Sequence, residues 1–424
     1  MGTITVVDEC EVPETDVARL LEELQAFLDP YLPLFGRREN HGHALMYLEG
    51  RLQRLERRTL EPIANEHSVH RRPLQYFVGA GLWEDEPVRG RLCEQVAKEI
   101  GTKDGVLILD ASGLPKKGEH SVGVQRQWCG RLGKEENCQV GEFLAYASPK
   151  GHTLVDCRLY LPKSWAMDRT RRRQAHVPKD VAFKTGWELA YEMVRERSSV
   201  LPHQWVVGDD AYGHPVALRE RLATDGERYL LEVMSKTQVQ LDSGDRRWQS
   251  AASIADSLPA RRWTRVRTRD GEKGPIEVMA VKLRVATRAG SGKRTAGRRE
   301  TLLITQRGDE RWYYLSNARG VSVAKMAKVA ACRHYVEQSL ELAKGEVGLD
   351  EYEVRSWVGW HHHMTLSLLA SFFLVRERKR LKKSPGDHSS SNQMGDRASA
   401  GSRGAELDRY WIDREATHTP AAAQ

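Results

Sequence analysis

Two short apolar runs constrain this chain more than anything else in it, because each leads straight into aspartate. Val106-Leu107-Ile108-Leu109 runs into Asp110, and Trp205-Val206-Val207-Gly208 runs into Asp209 and Asp210. A short unbroken apolar run bounded by polar residues suits a strand covered on both faces. A carboxylate at the end of such a strand stands where a site can form. Alternation along the strand does not separate Asp209 from Asp210, since both lie at its end. Asp104, which precedes the first run, reads as a surface residue.

Between the two runs, strands are expected at 139–147 (QVGEFLAYA) and 152–160 (HTLVDCRLY), joined by the turn Ser148-Pro149-Lys150-Gly151. So short a connection favours an antiparallel meander. A helix at 178–197 leads into the second run, and a helix at 214–224 and a strand at 227–234 follow. Three antiparallel strands, helix, strand, helix, strand is the order of an RNase H-like α/β core, with an acidic residue at the end of its first and fourth strands.

The flanking regions differ in character. Residues 1–100 read as all-helical, with Val17, Leu20, Leu21, Leu24, Phe27 and Leu28 at helical spacing. Arg51, Arg54, Arg57, Arg58, Arg71 and Arg72 are interspersed there, on a solvated face or a phosphate-contacting one. The core is then expected to occupy 101–234 and, as helices, 321–375. Between them, 235–320 reads as a β-rich insertion with a Gly- and Arg-rich loop at 288–299. Residues 376–424 open with RERKRLKK, turn Ser- and Gly-rich, and are expected to form an unstructured tail.

A formal charge of +8 over 424 residues is compatible with a polyanionic partner without requiring one. The six cysteines, Cys10, Cys93, Cys129, Cys138, Cys157 and Cys332, include no C-x-x-C pair, which argues against a zinc knuckle or a disulfide framework. The acidic N-terminus lacks signal-peptide character and no apolar run reaches the ~18 residues of a span. A soluble cytoplasmic protein without a membrane partner is expected.

A third carboxylate comes from the helical region. Arg333, Glu337, Glu341 and Lys344, at intervals of 4, 4 and 3, share one helical stripe beside the apolar stripe of Val336, Leu340 and Ala343. Alone this is an ordinary amphipathic helix with i,i+4 ion pairs. Set beside two strand-end aspartates, Glu337 completes an all-oxygen donor set suited to Mg2+, or Mn2+ in its place. Two such ions, roughly 3.5–4 Å apart, would serve in-line attack at phosphorus. His361-His362-His363 makes a weak metal site, since adjacent residues of a helix point different ways.

These motifs resemble those of bacterial insertion-sequence transposases of the DDE type, most closely insertion-sequence family 701. Within that larger group, the signature Y-x2-R-x3-E-x6-K is matched by Arg333, Glu337 and Lys344, with Ala330 at the tyrosine position. The stretch 109–141, LDASGLPKKGEHSVGVQRQWCGRLGKEENCQVG, is similar to the family's longest shared segment. In WVVGDDAYG, 205–213, the family pattern selects Asp209 over Asp210, and 348–374 is similar as well. The resemblance implies an RNase H-like core interrupted by a β-rich insertion, an N-terminal all-α DNA-binding domain, and a catalytic, metal-binding triad of Asp110, Asp209 and Glu337. It also implies two Mg2+ ions, action on transposon-end and target DNA inside the prokaryotic nucleoid, and a homodimer that synapses two ends. Arg333, Lys344, Lys116, Lys117, Arg126 and Trp312 are the candidate DNA contacts. Related hairpin-forming enzymes stack a flipped base on a Trp before an insertion strand, where this chain has Thr301. The alternative is a domesticated DNA-binding protein that keeps the fold without transposition.

Overall fold

The first apolar run forms the hinge of the sheet. In the computed structural model, which describes residues 14–242, 247–271, 274–288 and 296–383, strand β1 (Val106–Pro115) lies between antiparallel and parallel neighbours. On one side it pairs antiparallel with β3 (Lys134–Ser148), whose other edge carries β2 (Gln125–Cys129) and β4 (Gly151–Leu159). On the other side it pairs parallel with β5 (Trp205–Gly208), which pairs parallel with β6 (Tyr229–Val233). The order β4-β3-β1-β5-β6, three antiparallel strands followed by two parallel ones, is consistent with an RNase H-like core. Expected and observed strands differ most at β1, which continues past Asp110 to Pro115. The length of β3 explains this, since it keeps pairing partners available from Val106↔Ala147 to Pro115↔Cys138.

Beyond β6 the sheet continues without a break. Strands β7 (Gln238–Leu241), β8 (Trp248–Ser250), β9 (Thr264–Gly271), β10 (Gly274–Arg288), β11 (Ala296–Arg307) and β12 (Glu310–Ser316) form the β-rich segment. Its last strand, β12, pairs antiparallel with β6, so this segment extends the core sheet rather than forming a separate one. Backbone groups on the open edge of β6 need partners, and β12 supplies them. Most of the loop at 288–299 and the tail beyond Lys383 lie outside the described residues.

The helices of the first hundred residues are α1 (Glu14–Leu28), α2 (Arg38–Leu52), α3 (Leu60–Glu66), α4 (Arg71–Gly79) and α5 (Asp85–Ile100). After β4 come α6 (Lys163–Met167), α7 (Arg169–Gln174), α8 (Gly186–Arg197), α9 (Asp210–Gly213), α10 (Val216–Thr224), α11 (Ala251–Ser257), α12 (Val323–Ala331), α13 (His334–Gly345) and α14 (Trp357–Lys383). Leu24, Phe77 and Val96 of the early helices belong to the same buried cluster as Ile108 of β1 and Leu369 of α14. Phe27 packs against Phe372 and Phe373 with ring centroids 6.3 and 5.5 Å apart. The N-terminal helices therefore share the core of the sheet and have no separate one.

Two polar knots tie these layers. Asp156 of β4 is fully buried and receives Arg89 of α5 (2.7 Å), Arg158 (2.5 Å) and Arg197 of α8 (2.7 Å). Arg51 of α2 is fully buried and donates to the carbonyls of Arg58, Gly348 and Glu351, which removes it from any DNA-facing set. The RERKRLKK segment is helical as far as Lys383, not the start of a tail. Arg376 lies over the Phe27 ring and pairs with Glu99 at 3.1 Å, contacts that keep α14 on the body of the protein. Within α14 the three histidines are buried. His363 bridges Tyr47 and the Leu349 carbonyl, and His362 stacks on Trp83 at 3.6 Å. No helix among the described residues is long and apolar enough to cross a membrane.

Candidate active site

The parallel pairing of β1 with β5 ends at Leu109↔Gly208, and the next residue of each strand is an aspartate. Asp110 thus emerges where the two strands part. Asp209 leaves β5 to cap α9, its carboxylate accepting from the Ala211 amide at 3.0 Å. Glu337 lies in the first turn of α13, which packs across β4, β3 and β1. Three remote stretches of sequence are thereby brought to one place.

Their electrostatics report that proximity. Burial first, and then the charge of Asp209, push the Asp110 carboxyl up to about 7, with Glu337 adding and Arg333 opposing. Burial also raises Asp209, again against the pull of Arg333. Glu337 moves the other way, held low by His334, against burial, and by Arg333. Asp210, one residue from Asp209, is exposed.

Arg333 is the local counter-charge. Its guanidinium donates to Glu337 Oε1 at 2.9 Å and lies 3.7 Å from Glu232 of β6. Burial disfavours its charge, but Glu337, Glu232, Asp110 and Asp209 more than offset that. Among the described residues, no three acidic, imidazole or thiol groups are gathered closely enough to hold a metal ion as they stand. Glu337 is engaged instead by Arg333. The donors still suit a hard divalent cation, which would relieve the repulsion that raises Asp110.

The sequence profile of the DDE superfamily endonucleases matches residues 30–275, more than half of the chain, including Asp110 and Asp209. The chain belongs to the DDE superfamily of endonucleases. It is also similar to the "Probable transposase for insertion sequence element IS701" of Microchaete diplosiphon, 21% identical over 322 residues that cover 73% of this chain and 76% of that protein. Glu337 lies beyond the family match; what links it to the aspartates is Arg333, whose charge acts on all three.

In this DDE endonuclease the remaining predicted residues are spread along the sheet. Lys344, two turns beyond Glu337, donates to Ser112 of β1 at 2.8 Å and so tethers α13 to the Asp110 strand. Lys116 donates to the Tyr352 carbonyl at 3.0 Å and lies 3.1 Å from the centre of that ring, a structural engagement that burial accompanies by pushing its amine down to about 8. Lys117 and Arg126 are exposed, the latter on β2 beside the exposed Trp128. Ala330 is buried in α12. Thr301 is buried, bonded to the Ala318 carbonyl (3.0 Å) and by Arg284 (2.9 Å), and presents no surface for stacking. Trp312 is partly buried on β12. It shares a sheet face with Tyr314, whose cross-strand partner is Glu232, and so lies on the face that carries Arg333's contact.

Sequence reasoning missed two carboxylates at this site. Glu232 sits inside ERYLLEVM and Glu142 inside QVGEFLAYA, each an acid set apart between buried strand neighbours. That isolation was the available signal. Burial pushes Glu142 up to about 7, the hydrogen bond from Tyr212 opposes, and the charge of Asp110 adds.

Proposed function

We propose that this chain is an insertion-sequence transposase that cleaves DNA at the ends of its element and joins the freed 3'-hydroxyls to target DNA, with Asp110, Asp209 and Glu337 as its catalytic carboxylates. The observation that carries this reading is the placement of Asp110 and Asp209 at neighbouring positions where β1 and β5 part, with Arg333 reaching both Glu337 of α13 and Glu232 of β6. Clustered acids paired to an arginine suit a chain that binds cations together with a polyanion.

Asp110, Asp209 and Glu337 would hold Mg2+ or Mn2+. When bound, two such ions activate the attacking oxygen and stabilise the leaving one. Arg333 has a second task. As it releases Glu337 it becomes available to a phosphate oxygen, for which a guanidinium is well shaped. Lys344, held on Ser112, would contact flanking backbone from the same helix, with exposed Lys117 just beyond β1 and Arg126 on β2. Two ends must be processed together, so a homodimer is the proposed working form. The helices of residues 14–100 would carry end recognition.

The test uses purified protein, Mg2+ and a DNA fragment carrying the repeats that flank its gene. Cleavage at the repeat boundaries and joined 3' ends are expected, both lost in Asp110→Ala while DNA binding persists. Cutting without preference for the repeats would instead indicate a stand-alone nuclease. End binding with no metal-dependent turnover would favour a domesticated DNA-binding protein, the reading that buried Ala330 in place of the signature tyrosine supports.

A further inference from the structure

Asp209 begins a helix of only four residues, too short to hold its own direction. Its orientation must be imposed from outside. The third residue of that helix, Tyr212, is buried and donates its hydroxyl to Glu142 Oε2 at 2.5 Å. Glu142 lies on β3 directly opposite Ala111, the residue after Asp110. A continuous path therefore joins the two aspartates, from Asp110 through β1 to β3, through Glu142 to Tyr212, and back along α9 to Asp209.

The surroundings are shaped around this link. A side chain on Gly186, at the start of α8, would place its Cβ 2.3 Å from Glu142 Oε1, so glycine leaves that carboxyl its space. The Tyr212 ring lies against Gly208, where an added Cβ would meet it at 3.0 Å. Gly213 is pressed on the Glu232 carbonyl, which a Cβ would approach to 1.6 Å. An apolar pair could fill this volume without the cost of burying a carboxyl. A directed hydrogen bond fixes an angle as well as filling space.

We propose that Glu142 and Tyr212 are positioning residues that hold Asp209 at the distance from Asp110 at which both can ligate one divalent cation. This rests on the reading of Asp110 and Asp209 as metal ligands. It predicts that metal affinity, rather than folding, registers the loss of the hydrogen bond.

The probe is Mn2+ alone, titrated into the full-length protein and followed by the electron paramagnetic resonance of the free ion, with a melting curve for every variant. Tyr212→Phe and Glu142→Leu should each weaken Mn2+ binding about five- to tenfold, and the double variant no further than either single one. Glu142→Gln, which still accepts from the tyrosine hydroxyl, should remain within about twofold of the parent. Should Tyr212→Phe bind Mn2+ like the parent while Asp209→Ala loses it, the positioning role falls and the triad stands. If Asp209→Ala also binds normally, the triad reading itself fails and the proposal with it. A fall in Mn2+ affinity in Glu142→Gln equal to that in Glu142→Leu would overturn the hydrogen-bond argument. So would weakening that follows the loss of melting temperature across the set.

Discussion

Asp209 and Asp210 differ by a single position, yet the fold treats them as different kinds of residue. Asp209 caps α9 and its charge helps to raise Asp110, whereas Asp210 faces solvent. Asp209→Ala should therefore reduce end cleavage by at least about a thousandfold, as expected for one member of a catalytic unit. Asp210→Ala should stay within about threefold in the same gel-based assay. Comparable losses in the two variants would undo the assignment. A second residue-scale expectation concerns acid. Burial opposes ionisation of Asp85, but the Arg89 guanidinium beside it prevails and holds the carboxyl at about 2. A folded value below the unfolded ~3.9 means that the group stabilises the protein above about pH 4, and that this contribution is lost as pH falls towards 2. It amounts to roughly 2 kcal/mol. Urea unfolding followed between pH 5 and pH 2 should show a shallower decline in Asp85→Asn than in the parent chain.

At the scale of elements, α9 and α13 illustrate how little of a site is local. Neither helix is long, and each is held by contacts with strands: α9 by Tyr212 on Glu142, α13 by Lys344 on Ser112. Gly213 is the least replaceable residue of α9, because any side chain would collide with the Glu232 carbonyl. Gly213→Ala should cost about 1–3 kcal/mol, the range for forced overpacking, and thermal melting will measure it. An unchanged melting temperature would mean that α9 can shift away from β6 without loss. Apolar runs and a turn made β4, β5 and β6 legible in the sequence to within about two residues, and fixed the start of β1 but not its end. β2 and α9 were not legible, since QRQWC has no apolar face and a four-residue helix has no period to detect.

For the whole molecule, the helices of residues 14–100 act as part of the catalytic body. Phe27 against Phe372 and Phe373, and Arg89 on Asp156, join them to α14 and β4. A chain beginning at residue 101 should consequently fail to fold, exposing the apolar faces of α14 and β4 and appearing in the insoluble fraction. A soluble fragment with native circular dichroism would show an independent core. Asp156→Ala should be severe for a related reason, leaving Arg89 and Arg197 buried without their shared carboxylate. The expected loss is about 3–5 kcal/mol, read from the urea midpoint.

Local pattern in the chain was enough to reveal the aspartates that follow the two apolar runs, the α/β order of the core and the helical stripe of Arg333, Glu337 and Lys344, because each is a pattern over neighbouring residues. Long-range pairing decided everything that depends on distance. It seated β12 on β6, ran β1 past Asp110, drew the early helices into the common core, and set Arg333 across Glu337 and Glu232. It also placed Glu142 behind the two aspartates, since an acid between buried strand neighbours reveals its partner only when the sheet has closed around it.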